Sequence, residues 1–563
     1  MKTPANPWQV PAPPIAPLAF KIPPGPDAPA APAPEPPPLV PALAALAGTS
    51  PELAASLEKA NAAQAAVASG SQRAPDKGAA RLLALSRGEG VQIVRDRATA
   101  RTLAVVQVGS RREVYDGDSL QGWLSALAVE RGIVSSGGAL ADAARAQLSL
   151  PAVDAPVHVG LGASDDGSRF YLDLGDDSGA AGEVDALGYR VVASPPVLFA
   201  RSAATRPLPH PVDGGALAEL GSLLSLAGET LILLISWLLG ALNPRGPYPI
   251  LCLSGEAGSG KSTLTRALVS LLAPQAAALR SLPTDDRALA IFAENSRVLA
   301  FDNCSTVRPD LADALCRLAD GGGLATRELY SDRKLAIFDA MRPIILNGIP
   351  SLLDRSDLGD RAILLELPAR RGFRAARDLA REFDAARPRL LGALLTAASA
   401  ALANQGNPTP GAATVRMYDF AAWVLAAANA GALPFTGPQF LAAYGENRRA
   451  VALSAVEADV LAAHLFAMVP NAGDCIEAPA SELLARLAHA ASLDALPARA
   501  RADWPASPTA LGKRLSRLAS AARLQGVQIT KGRSASRSWR VEREAEPEPE
   551  VALAPENTKG NSE

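Results

Sequence analysis

Cysteine and histidine are scarce in this chain, with four of each in 563 residues. Cys252, Cys304, Cys316 and Cys475 stand far apart and form no CxxC pair, which argues against a disulfide scaffold or a zinc ribbon and points to a reducing, cytoplasmic setting. The histidines are not spaced as a ligand pair, so no zinc or iron centre is expected. Charge of one sign is also missing. The 55 Lys plus Arg against 57 Asp plus Glu leave a net charge of -2, so no global field draws the chain to nucleic acid and any such binding must come from local patches. Long apolar runs are lacking too. Thr230 to Leu242, TLILLISWLLGAL, is the stretch that invites a membrane reading, but it is short of the roughly 20 residues a bilayer requires. Glu229 and Arg245 bracket it closely, so a buried core helix is expected and no membrane partner. The opening MKTPANPWQV lacks the basic-then-apolar order of a signal peptide.

Hydrophobic residues make up 48% of the chain and charged residues 20%, enough apolar material for a sizeable core. At roughly 100 to 200 residues per domain, the length allows about three or four domains, fewer with long tails. Arginine outnumbers lysine, and Ala, Gly and Pro abound, which marks a GC-rich genome, bacterial or carried by a bacterium. The alanine excess is therefore weak evidence for helix.

Composition shifts divide the chain. Residues 1–77 are a proline-rich arm and linker, APAPEPPPLVP being typical, and are expected to be disordered. Residues 78–212 read as a mixed α/β accessory domain, with VQIVRD, TLAVVQV, REVYD, VHVGLG, RFYLDLGDD and YRVVASPP as short strands and Leu120 to Arg131 as a helix. Asp173, Asp176 and Asp177 lack the Asp-x-Asp spacing that a polymerase-like primase wants, so a strand end and a solvated turn are expected there. Residues 213–450 alternate strand and helix as a parallel sheet requires, then continue as a helical lid through AARPRLLGALLTAASAALA and YDFAAWVLAAANA. Residues 451–543 read as helices followed by the basic hairpin VQITKGRSASRSWRVE, and residues 544–563 as an acidic, disordered tail.

The most informative stretch is YPILCLSGEAGSGKSTLTRALVSLL. An apolar strand runs into Gly255, Glu256, Ala257, Gly258, Ser259, Gly260, Lys261, Ser262 and Thr263, after which Leu264, Ala267, Leu268 and Leu271 recur at helical spacing. This is GxxxxGK[ST] in its strand-loop-helix context: glycines let backbone N–H groups turn inward onto phosphates, aided by the positive end of the following helix. Lys261 is placed to neutralise charge on the β- and γ-phosphates of ATP, and the Ser262 hydroxyl to ligate magnesium. A second strand ends in Asp302 and Asn303, where the second magnesium contact belongs. Most ATPases of this design carry a second carboxylate next, to orient the attacking water. Asn303 stands there instead, and an amide is a poor general base. A third strand ends in Asn347, beside the expected γ-phosphate. Downstream lie Arg355 and Arg361; at this offset an arginine can reach the nucleotide of a neighbouring subunit, with Arg361 favoured and Arg355 the alternative. Between the second and third strands, two β-like runs flank a turn carrying Arg333 and Lys334, a hairpin whose tip would meet a single strand of DNA in the pore of a ring.

The order of these motifs resembles the superfamily 3 helicase branch of the AAA+ ATPases. More closely, GEAGSGKST, VLAFDN, LCRLADGGGLATRELYSDR, RPIILNGI and RSDLGDRAILLELP are similar to ATP-binding proteins of bacteriophages and integrated mobile elements, often described as primase-helicase-like. The likeness spans about residues 80–543. It implies a P-loop α/β core, a homo-hexameric DNA-dependent ATPase using ATP and Mg2+, and work in replication of a mobile element beside other replication proteins.

The C-terminal region points to DNA independently. A helix from about Pro508 to Leu524 bears Lys513, Arg514, Arg517 and Arg523, and the hairpin after it bears Lys531, Arg533, Arg537 and Arg540. This looks like a winged helix that would meet duplex or a fork. The expectation is a ring-forming helicase-like motor. The alternatives are a slow-ATPase switch or initiator that recruits replication proteins without unwinding, or a primase-helicase with primase activity in residues 78–212.

Overall fold

In a computed structural model the described residues are 77–327, 335–338, 341–348, 356–368, 376–406, 417–457, 459–492, 501, 504–532 and 538–544. The proline-rich arm and the acidic tail lie outside them, apart from Lys77 and Glu544. By internal contacts the chain divides into two compact units, the first formed by Met1–Ile349 with Arg361–Gly445 and the second by Pro350–Asp360 with Glu446–Glu563.

The first unit opens with α1 (Lys77–Gly88), β1 (Gln92–Asp96), β2 (Thr102–Val108), β3 (Arg111–Tyr115), α2 (Gly117–Glu130), α3 (Gly137–Leu148) and β4 (Val153–Ala155). The strands form a sheet in the order β3-β2-β1-β4, with only the β1–β4 pair parallel. A capping box starts α2, in which the Asp116 carboxylate accepts from the Ser119 N–H while the Ser119 hydroxyl oxygen accepts from the Asp116 N–H. Helices α1 and α3, which the sequence reading did not mark, bury Leu82, Leu140, Ala143 and Ala144 against that sheet.

Next come β5 (Val157–His158), β6 (Leu161–Ala163), β7 (Phe170–Asp173), β8 (Ala181–Asp185), β9 (Gly188–Val192) and β10 (Leu198–Phe199). An antiparallel sheet runs β6-β7-β8-β9, and β10 pairs with β5. VHVGLG, expected as one strand, is thus two short strands joined through Val159 and Gly160. The carboxylates singled out in the sequence serve the fold: Asp173 is gripped by the Arg201 guanidinium, with Nε 2.9 Å from Oδ2, and Asp176 bonds Ser178 and His210.

The chain continues through α4 (Glu219–Leu224), α5 (Gly228–Ala241), β11 (Ile250–Ser254), α6 (Lys261–Leu272), α7 (Asp286–Asn295), β12 (Leu299–Cys304), α8 (Pro309–Asp320), β13 (Leu324–Arg327), β14 (Leu335–Phe338), β15 (Ile344–Gly348), α9 (Ser356–Gly359), β16 (Ala362–Glu366), α10 (Ala376–Ala403), α11 (Tyr418–Asn429) and α12 (Gly437–Glu457). A parallel sheet has the order β12-β15-β11-β16. Its strands are continuous apolar runs because helices cover both faces. TLILLISWLLGAL forms most of α5, buried from Leu233 to Ala241, and the Trp237 indole N–H donates to the Pro249 carbonyl at 2.8 Å. Among the described residues no helix is long and apolar enough to cross a membrane. One core joins the two sheets of this unit, running from Phe170 and Val184 through Trp237 to Leu251, Ile345 and Leu391. At its rim the Ser399 hydroxyl of α10 donates to the Asp185 carbonyl at the end of β8, 2.6 Å away.

The second unit contains α13 (Val460–Ala467), β17 (Cys475–Pro479), α14 (Ala480–Ala491), α15 (Pro508–Arg523), β18 (Val527–Lys531) and β19 (Ser538–Arg543). Three antiparallel strands run β17-β19-β18. Helix α15 starts on a Ser507 cap with Pro508 at its first position. It buries Leu511, Leu515, Leu518 and Ala522, which share one face at helical spacing, against Val527, Trp539 and Val541.

Candidate active site

In a parallel sheet the loops leaving the carboxyl ends of adjacent strands converge on one edge, and β12, β15 and β11 are neighbours. Their ends bring together Asp302, Asn347 and the glycine loop that enters α6. Gly255, Gly258 and Gly260 all have positive φ, at 143°, 84° and 95°. At Gly255 a side chain is excluded by space as well, since a Cβ would lie 2.5 Å from the Leu367 carbonyl oxygen and 2.9 Å from the Ser259 hydroxyl. Within the loop Ser259 is buried, while Glu256, Ala257 and Gly258 are exposed; Thr263 follows in the first turn of α6. The Lys261 ammonium folds back onto its own loop and donates to the carbonyls of Gly255 at 2.7 Å and Glu256 at 2.9 Å.

A polar chain crosses the strand ends beneath this loop. The Ser262 hydroxyl donates to both Asp302 carboxylate oxygens at 2.9 and 3.1 Å, and the Asn347 amide nitrogen donates to Asp302 Oδ1 at 3.0 Å. The Asn347 side-chain oxygen accepts from Thr265 Oγ1 at 2.7 Å, and the same hydroxyl reaches the Lys261 carbonyl. Asn347 is 1% exposed and Thr265 fully buried, so both buried polar groups are satisfied by each other and the amide is held in one orientation. Thr265 escaped the sequence reading. Its signal was a hydroxyl inside the otherwise apolar stripe of α6, three residues after Ser262 and hence on the same face.

Asn303 lies apart from this chain. The register between β12 and β15 shifts between Phe301 and Cys304, a bulge in which Asn303 takes φ of 56° and becomes exposed. Its backbone N–H donates to Asp302 Oδ1 at 3.0 Å. Behind the site, burial and then the Asp302 charge push the Cys304 thiol up to about 12, and burial raises Cys252 further in the same direction.

The oxygens of Ser262 and Asp302 are the donors that suit magnesium, which takes one or two protein oxygens and completes its shell from phosphates and water. Among the described residues no three His, Cys, Asp or Glu side chains gather into a fuller metal cage. That donor set fits a metal brought with a nucleotide.

Arg361 stands at the other edge of the sheet. It precedes β16, its carbonyl accepts from the Ile250 N–H at 2.8 Å, and its guanidinium pairs with Asp320 at the end of α8. Five strand residues, roughly 15 Å, separate that edge from the glycine loop of the same chain. Arg355 and the hairpin-tip pair Arg333 and Lys334 lie outside the described residues, as do Arg533 and Arg537. On α15, Lys513 and Arg517 are exposed one turn apart, and Arg523 is exposed at its end. Arg514 is turned inward instead: it grips Asp459 at 3.0 and 3.1 Å, the residue whose carboxylate also caps α13. Exposed Lys531 holds its ammonium 5.8 Å from the Trp539 ring, and Arg540 pairs with Glu542.

Among solved structures, the chain is similar to the apo C-terminal region of NrS-1, at 12% identity over 84% of this chain and 100% of that one with a TM-score of 0.35. It is also similar to Cch of SCCmec type IV, described as an active helicase, at 12% identity over 80% and 92% with a TM-score of 0.45. No curated protein matches it significantly. Residues 217–446 match the family model of the actinomycete integrative conjugative element replication protein, and residues 461–556 that of the same protein's C-terminal domain. Over these two consecutive stretches the chain is similar to the replication proteins of actinomycete integrative conjugative elements, which marks it as a replication protein of a mobile element, as the sequence resemblance implied.

Proposed function

We propose that this replication protein is an ATP- and magnesium-dependent DNA-binding motor, a ring-forming ATPase of the superfamily 3 helicase type. The reading rests on one observation: Lys261, Ser262, Asp302 and Asn347 meet at the carboxyl edge of a parallel sheet, under a glycine loop that opens a helix. The proposed organisation is an accessory domain at residues 78–212, an AAA+ core and lid at 213–450 and a winged helix at 451–543, working in a bacterial cytoplasm.

In this reading the ATP phosphates lie against the loop N–H groups, and Lys261 exchanges the Gly255 and Glu256 carbonyls for phosphate oxygens. Magnesium, when bound, offsets charge on those oxygens; Ser262 and Asp302 are the residues that would hold it. Asn347, fixed from both sides by Thr265 and Asp302, presents a donor toward the γ-phosphate. Arg361 is too far to serve its own chain and acts on a neighbour's nucleotide in a homo-hexamer. Single-stranded DNA threads the pore at Arg333 and Lys334, and Lys513, Arg517 and Lys531 meet phosphates of duplex or fork. Arg514 is withdrawn from that set by Asp459.

Lys261→Ala tests the core of this reading. ATP hydrolysis by the full chain is expected to fall to background, and unchanged turnover overturns the assignment. A second reading, a slow switch or initiator, is favoured by Asn303, an exposed amide where a general base is usual. A strand-displacement assay with and without single-stranded DNA separates the two, because only the motor displaces a strand.

A further inference from the structure

A cavity of about 680 Å³ lies at the amino edge of the parallel sheet, opposite the glycine loop, and wholly within the first unit. Three of its lining residues come from equivalent places: Tyr248, Arg297 and Arg342 each stand two residues before the start of β11, β12 and β15. His158 of β5 lines it from the facing segment.

Arg297 is 6% exposed, and its hydrogen bonds go to neutral oxygens, the Ala241 carbonyl at 2.8 Å and the Tyr248 hydroxyl at 2.9 Å. Its guanidinium also lies 4.8 Å from the centre of the Tyr248 ring. A buried cation without a carboxylate is costly, and an anion in the cavity would relieve it. Arg342 bonds the Ala293 and Met341 carbonyls, each at 2.9 Å; burial and then the Arg297 charge draw it down to about 9. The carboxylates on the wall are already engaged. Asp96 accepts from Thr99 and the Val157 N–H, Asp116 accepts from the Ser119 N–H as the cap of α2, and Glu294 pairs with Arg101 at 3.0 Å.

His158 faces Asp96, Asp165, Arg297 and Arg342, and burial holds it neutral by drawing it down to about 4. Its Nε2 is buried with no hydrogen-bond partner. Gly160 makes the arrangement possible, because a Cβ there would come within 2.9 Å of Arg297 Cβ. The segment VHVGLG thus seats the histidine and leaves room for the arginine.

We propose that this cavity is a second ligand site, separate from the glycine loop, for a small phosphate-bearing molecule of mononucleotide size. Guanidinium forks match phosphate oxygens, and the volume lies in the range of small-molecule pockets and exceeds what an inorganic anion fills.

The test uses the full chain carrying Lys261→Ala, so that the glycine loop contributes little whatever its role. Inorganic phosphate and adenosine 5′-monophosphate are titrated by calorimetry. One saturable equivalent is expected for each, tighter for the nucleotide. Adding Arg297→Gln or His158→Ala is expected to weaken binding about tenfold or more, with folding checked by thermal melting. If Arg297→Gln does not fold, Arg342→Lys, which keeps the charge and loses the fork, reads the same site. Absence of saturable binding by both probes overturns the proposal, as does binding that all folded variants leave intact.

Discussion

At Asn303 the backbone itself selects the residue. A left-handed conformation in a bulge admits glycine and asparagine readily, whereas a β-branched side chain there costs roughly 1–2 kcal/mol. Asn303→Gly is therefore expected to leave the unfolding midpoint in denaturant near that of the parent, and Asn303→Val to lower stability by about 1–2 kcal/mol. The sequence located this residue by its place after Asp302, yet nothing in it announced the bulge that turns the amide outward. Thr265 shows the converse. A hydroxyl in an apolar stripe reads as a tolerated imperfection until Asn347, eighty-two positions later, is seen to need its donor. Arg514 reads as one more cation of a basic helix until Asp459 comes within reach. Such pairings are long-range and carry no periodic signature.

At the scale of elements, strands and helices with strong patterns were legible. The parallel strands β11, β12 and β15, the apolar helix α5, the basic helix α15 and the hairpin after it all lie near their expected places, because each is a short apolar run or a one-sided stripe bounded by turn residues. Helices α1 and α3 were not legible. In KGAARLLALSRG and GGALADAARAQL alanine fills fully buried positions and less buried ones alike, so the contrast that marks an amphipathic face is weak. The elements also sort the cysteines. Cys252 on β11, Cys304 on β12 and Cys316 on α8 are buried, and Cys475 at the start of β17 is exposed. Burial raises the first two thiols, so at about pH 8 they remain protonated and unreactive. A native maleimide titration is expected to label Cys475 alone, and unfolding to release the other three thiols.

At the scale of the whole molecule, Arg361 and Lys261 belong to opposite edges of one sheet, and the proposed function has the active site completed by the Arg361 of a neighbouring chain. Arg361→Ala is expected to abolish ATP turnover while keeping nucleotide binding. Mixing it with Lys261→Ala is expected to restore part of the activity, since some interfaces then pair an intact loop with an intact arginine; a steady-state ATPase assay across mixing ratios reads this, and a flat, inactive profile contradicts shared sites. The pairing of Arg361 with Asp320 gives such an interface a particular character. In the proposed ring a neighbour's phosphate would not meet a bare cation reaching into solvent but one already sheathed by its own chain. Closing the proposed ring would then be an exchange of anions at the guanidinium, driven by the margin by which a triphosphate is preferred to a single carboxylate.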